Sequence, residues 1–147
     1  MPGANASSVA EGAVLLMLAA LRRLPALDRA TREGKGWPSD PGLGETVRDI
    51  GGCTVGLVGC GNIAKTVDTM VTAMDAQVLH TSTRDDGQPA WRPLPELLDA
   101  SDIVSLHLPL TEKTVRMLDR VALARMKPDA VLVNTSRGGR GRRGRAR

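Results

Sequence analysis

The 147-residue chain has no phenylalanine and no tyrosine, and its only large aromatic side chains are Trp37 and Trp91. A core without rings must be assembled from Val, Leu, Ile, Met and Ala, which an apolar content of 41% can supply. Cysteine is scarce as well. Cys53 and Cys60 stand seven apart, a spacing that fits no common zinc or redox motif, so both read as inert buried thiols in a reducing compartment. Long apolar runs are absent. "AVLLMLAAL" is far short of the about 20 residues that span a bilayer. It is also no signal peptide, because Glu11 precedes it while Arg22 and Arg23 follow it. A cytoplasmic protein without a membrane partner is the expectation. An excess of positive charge is absent except at the end. The net charge is +4, and removing the five arginines of residues 140–147 takes it to −1, so the basicity says little about the body of the chain.

What is present is organisation. The segment 7–24 reads as a helix opened by a capping box, Ser8 with Glu11, and apolar on nearly every face. A helix of that kind is expected to be buried on more than one side, against another domain or subunit, or within its own core. Residues 32–52 collect Gly34, Gly36, Pro38, Pro41, Gly42, Gly44, Gly51 and Gly52, and read as a linker. From Cys53 onward short apolar strands ("CTVGLVG", "AQVLHTS", "DIVSLHLP", "DAVLVNTS") alternate with helical segments. That alternation implies βαβ units and a parallel sheet. The fold class expected is therefore α/β, a Rossmann-type doubly wound parallel sheet, incomplete and preceded by a long helix.

The first strand runs into Gly59-Cys60-Gly61-Asn62-Ile63-Ala64, which fits G-x-G-x-x-[GA] in the strand–turn–helix setting the motif needs. Gly59 permits a tight turn, Gly61 lets the backbone approach a pyrophosphate, and Ala64 lets helix and strand pack closely. A tight turn with no ligand is the bland alternative. The end of the second strand bears on the cofactor. An acid that holds the ribose 2′-hydroxyl usually stands about 20 residues on. By spacing Ser82 occupies that place, 23 residues after Gly59. A small hydroxyl leaves room for a 2′-phosphate and Arg84 could pair with it, which favours NADP(H) over NAD(H). Asp85 or Asp86 could instead supply the acid, and Arg84 could be a plain solvated charge.

These motifs, with "SSVAEGAVLLMLAALRRLP", "PLPELLDASDIVSLHLPLTEKTVRML" and "ALARMKPDAVLVNTSRGG", resemble in order those of the NAD(P)-dependent D-isomer-specific 2-hydroxyacid dehydrogenases over about residues 5–139. The resemblance implies an interdomain and dimer helix over 1–31, a linker over 32–52, a partial dinucleotide-binding domain over 53–139 and an Arg/Gly tail over 140–147. It implies hydride transfer between a nicotinamide and a small 2-oxo or 2-hydroxy acid, and a homodimer. Asn62 and Ile63 match the positions after the phosphate turn, and Ser82 matches the ribose-reading position. Leu108, Pro109 and Thr114 match the segment that lines the cofactor. Thr135 and Ser136 match the loop that reaches the nicotinamide, and Arg137 matches the catalytic arginine. A guanidinium suits that chemistry, because it can hold a carboxylate by two hydrogen bonds and steady the charge that grows on the C2 oxygen. The family's acid–base histidine and its carboxylate partner fall in segments beyond the arginine that this chain does not contain, and neither His80 nor His107 matches them. The family usually turns on a glycine where Asp129 stands, and an ordinary turn is expected there.

After "SRGG" the family continues with a stretch like Leu-Val-Asp-Glu, whereas this chain reads "RGRRGRAR". Codons for that peptide exist whose shifted frame reads Val-Asp-Glu-Gly-Ala-Ala-Leu, so a frame shift is one expectation. A phosphate-binding Arg/Gly tail is the rival, weakened by the lack of aromatics and of repeated units. A dinucleotide-binding piece without turnover is the other reading of the whole chain.

Overall fold

The computed structural model describes residues 5–35, 46–109, 111, 112, 114 and 117–136. Helix α1 (Ala6–Leu21) and helix α2 (Leu24–Arg32) precede an alternating run of strands and helices. That run is β1 (Thr54–Val58), α3 (Asn62–Thr72), β2 (Gln77–Thr81), α4 (Leu94–Ala100), β3 (Ile103–Leu106), α5 (Arg120–Ala124) and β4 (Val131–Asn134). The strands form one sheet in the order β2-β1-β3-β4, every pair parallel. The α/β expectation therefore holds. One element was not foreseen: Trp91 makes a parallel bridge to His80 on the outer side of β2. His80 N–H donates to Ala90 O and Arg92 N–H to His80 O. A third strand reduced to one bridge restores the Rossmann order, with the chain reversing direction across the sheet between β1 and β3.

Alternation along the strands distributes the core over both faces. Val55, Leu57, Ile103 and Val133 point to the side covered by α1 and α3, where they meet Ala10, Ala13, Met17, Leu21, Val67 and Val71. Val58 and Val104 point to the other side, under Leu97 and Leu98 of α4. Gly56 lies among the latter, and no side chain fits there. A Cβ on it would collide with Ser101 Oγ and lie 2.6 Å from Leu97 Cδ2.

The helix expected over 7–24 stops at Leu21. Pro25 cannot stand inside a helix, so the chain turns through Arg23 at φ 54° and restarts with the proline in the first turn of α2. The expected capping box is not made. Asn5 is the N-cap, Ser8 lies inside α1, and it is Ser7 Oγ that donates to Glu11 Oε1 (3.2 Å). Only one stripe of α1 is buried, while Leu15 and Leu16 on the opposite side are 62% and 50% exposed. The cysteines divide too. Cys53 is buried, but Cys60, the middle residue of Gly-Cys-Gly, is exposed.

The N-terminal ends of the strands are tied by charge. Asp102 Oδ2 accepts from Thr54 N–H (2.8 Å) and Oδ1 accepts from Lys127 Nζ (2.7 Å). Arg48 donates to Asp129 Oδ2 (2.9 Å) and Asp129 O (2.8 Å), which fastens the last part of the 32–52 segment to the turn before β4. Asp129 sits in an ordinary turn closed by Ala130 N–H to Lys127 O, without a positive φ. Burial alone would raise the Asp102 carboxyl. The hydrogen bonds from Lys127 and Thr54, helped by the charges of Lys127 and Arg48, outweigh burial and hold it below its ordinary value. Burial, reinforced by the nearby Asp102 charge, pushes the Cys53 thiol up, which keeps it unreactive.

Candidate active site: the cofactor crevice

The C-terminal ends of β1 and β3 flank the point where the sheet reverses its winding, where open α/β sheets hold their ligands. Gly59 leaves β1 at φ 110°, and its N–H donates to Thr81 O at the end of β2 (3.0 Å). A Cβ here would lie 2.7 Å from His107 O and 3.0 Å from Leu108 Cδ2. The glycine turn thus touches the segment that follows β3, and only glycine satisfies both the angle and the contact. Gly61 differs in kind. Its backbone is extended (φ −73°, ψ −177°), and a Cβ on it would meet nothing within 4 Å. The protein needs no glycine there, so the space over Gly61 is open to something else.

Gly61 is the N-cap of α3 and lends no side chain to the opening turn, whose first intrahelical donor is Lys65 N–H to Gly61 O. The N–H groups of the first turn are left to an outside acceptor, and the helix dipole favours an anion. Asn62 is exposed, and Ile63 packs its side chain against the α1/α3 core, so what either can offer a ligand is mainly backbone. Ala64 is buried, which lets α3 lie close on β1.

Around this turn buried polar atoms lack partners. Both ring nitrogens of His107 and Thr135 Oγ1 are buried without a hydrogen bond. Leu106 pairs with Asn134 in the β3/β4 ladder, so His107 and Thr135 follow side by side at the C-terminal end. Burial pushes His107 down to about 4, so its ring is neutral near pH 7. Orphaned donors and acceptors of this kind mark a place that a ligand completes. Open space over Gly61, free N–H groups and unpartnered polar atoms at the switch point fit a dinucleotide.

The other candidate residues fall around this crevice. Leu108 packs under the second core. Thr114 Oγ1 donates to Pro109 O (2.7 Å) and accepts from Thr111 N–H (2.8 Å), so it shapes the loop after β3. Ser136 N–H and Oγ both donate to Asn134 Oδ1 (3.0 and 2.6 Å), which sets the path of the chain after β4. Arg137 lies outside the described residues. At the end of β2, Ser82 Oγ donates to Arg84 O (2.6 Å), and the Arg84 guanidinium has no ion pair among the described residues. Asp85 Oδ1 accepts from Gly87 N–H (2.8 Å), and Asp86 Oδ1 accepts from Gln88 N–H (3.0 Å). His80 Nε2 stands 2.7 Å from the second oxygen of Asp86. Among the described residues no group of three or more His, Cys, Asp or Glu could hold a metal ion, and no helix is long and apolar enough to cross a membrane.

The profile of the D-isomer specific 2-hydroxyacid dehydrogenase NAD binding domain matches residues 14–141. The chain belongs to this family. It is 40% identical to a glyoxylate reductase of Korarchaeum cryptofilum over 93% of its own length and 43% of that protein's. Among solved structures it resembles an acyclic imino acid reductase in complex with NADPH and D-Arg (TM-score 0.81, 34% identity, 90% of this chain and 43% of that one). It also resembles an NAD-dependent formate dehydrogenase from Staphylococcus aureus in complex with NAD (TM-score 0.85, 30% identity, 92% and 42%). The chain thus spans less than half the length of these relatives, and the part it spans is the nicotinamide-cofactor domain of an oxidoreductase family.

Proposed function

We propose that this chain forms the cofactor-holding part of a 2-hydroxyacid dehydrogenase that prefers NADP(H) and reduces a small 2-oxo acid. The observation that carries the reading is the crevice at the switch point, where Gly61 leaves a space no side chain fills and His107 and Thr135 lack partners. The pyrophosphate takes the free N–H groups of the α3 N-terminus, and Leu108, Pro109 and the loop held by Thr114 wall the cofactor. Thr135 and Ser136 lead the chain toward the reacting carbon, and Arg137, next in sequence, binds the substrate carboxylate and steadies the charge on the C2 oxygen. A bound nicotinamide supplies the hydride. The exposed Leu15 and Leu16 side of α1 is the surface we assign to a further domain or to the second copy of a dimer. The compartment that suits an exposed Cys60 thiol is the reducing cytoplasm.

The NADP(H) preference rests on the end of β2. Ser82 brings no charge, Arg84 has no competing ion pair, and Asp85 and Asp86 are both engaged inside their own loop. Fluorescence titration with NADPH and NADH tests this. Tighter NADPH binding is expected. Equal or tighter NADH binding overturns the preference, and binding of neither overturns the site. Absorbance loss with glyoxylate or hydroxypyruvate tests turnover, and binding without turnover marks a non-catalytic module.

A further inference from the structure

The loop from Ser82 to Ala90 is closed twice. Its ends are joined by the backbone pair of His80 with Ala90 and Arg92, and its middle is drawn back by the His80 ring. His80 lies within β2, whereas Ser82 follows its last residue and spends its hydroxyl on Arg84 O. Asp86 is held at His80, inside the strand, and makes no hydrogen bond to Ser82. Its two oxygens are both in use, one by His80 and one by Gln88 N–H, and the His80 ring and the Gln88 N–H together hold its carboxyl below the ordinary range.

We propose that His80 is a positioning residue for cofactor choice: it holds the Asp86 carboxylate away from the ribose 2′ position beside Ser82. This rests on the NADP(H) reading above. A carboxylate beside a ribose accepts hydrogen bonds from its hydroxyls and repels a 2′-phosphate. The Asp86 carboxylate stands six residues from His80 on a loop that only hydrogen bonds restrain. Without the ring it is free to move toward Ser82, where it would serve the unphosphorylated ribose and oppose Arg84. The side chain that reads the 2′ position would then be selected by a residue that never touches the cofactor.

Adenosine 2′,5′-bisphosphate and 5′-AMP occupy only the adenosine half of the site and differ only at the 2′ position. Calorimetric titration of the full chain with both gives a ratio of affinities that does not depend on the fraction of folded protein. The parent chain is expected to favour the bisphosphate. His80→Leu is expected to lower that ratio about tenfold, the size of one hydrogen bond or repulsion involving a charge. Adding Asp86→Asn to His80→Leu is expected to restore it, because no carboxylate is left to move. Asp86→Asn alone should leave the ratio unchanged or raise it. An unchanged ratio in His80→Leu, a loss that Asp86→Asn does not restore, or a loss in Asp86→Asn alone overturns the proposal. A parent chain that favours 5′-AMP, or binds neither probe, overturns the NADP(H) reading or the site itself, so the two failures are told apart.

Discussion

At the N-terminal ends of β1, β3 and β4 the charged groups are paired, Asp102 with Lys127 and Arg48 with Asp129. At the C-terminal ends of the same strands His107 and Thr135 are buried with nothing to bond. The other buried unpartnered polar atoms among the described residues belong to Ser105, in β3, and Trp91, on the β2 side. At one edge of the sheet the protein pairs its own charges, and at the other it leaves polar atoms without a partner, where we propose the ligand binds. Stability and binding are therefore expected to separate by edge, and several measurements can break that separation or sharpen it.

The largest effect is expected at the one residue of the open edge that the fold itself requires. Gly59→Ala introduces a Cβ 2.7 Å from His107 O at a φ of 110°, and should cost about 3 kcal/mol in urea unfolding. A cost below 1 kcal/mol would mean that the turn is not fixed as described. Next comes the paired edge. Asp102→Ala strips the acceptor from Lys127 and Thr54 and should cost about 2 kcal/mol, with no change in the ratio of NADPH to NADH affinity. A changed ratio would show that the two edges are not independent.

Acid should probe both edges in turn. His107 has a folded pKa pushed down to about 4, so the unfolded chain takes up that proton first, and the contribution of a neutral His107 is lost as pH falls from about 6.5 to about 4. Asp102, also lowered, contributes stability above its unfolded pKa and loses it as pH falls through the lower folded value. Urea midpoints from pH 7 down to pH 3 should fall throughout. His107→Leu should remove the upper part of the fall and Asp102→Asn the lower part. The smallest effect on stability is expected for His107→Leu at pH 7, within about 0.5 kcal/mol, because it removes polar atoms that nothing satisfies. The same variant should weaken NADPH binding, and a large loss of stability with unchanged binding would reverse the role given to this edge.

The contrast between edges also separates what was legible in the sequence from what was not. Strand–helix alternation and the glycine turn are local patterns, so the parallel sheet and the Gly59–Ala64 turn could be read directly. The rudimentary strand at Trp91 carries no periodicity, since a single bridge leaves no pattern. The end of α1 is not marked in the helix-forming residues themselves, because Arg22, Arg23 and Leu24 all suit a helix, although Pro25 signals the break. The pairing of Arg48 with Asp129 joins residues 81 apart, and that of Lys127 with Asp102 depends on strand order, so neither has a local signature. His107 was visible as a residue, but its loss of every partner is a property of the packed chain.

Gly61 tests the central claim most directly, because its backbone is one any residue adopts and the space above it is empty of protein. The measurement is the NADPH affinity of Gly61→Ala beside its urea midpoint. The account predicts a midpoint lowered by no more than about 1 kcal/mol, the ordinary cost of alanine in place of glycine at an N-cap. It predicts affinity at least about tenfold weaker, because the new methyl fills the space the pyrophosphate needs. Unchanged affinity with an unchanged midpoint would contradict it.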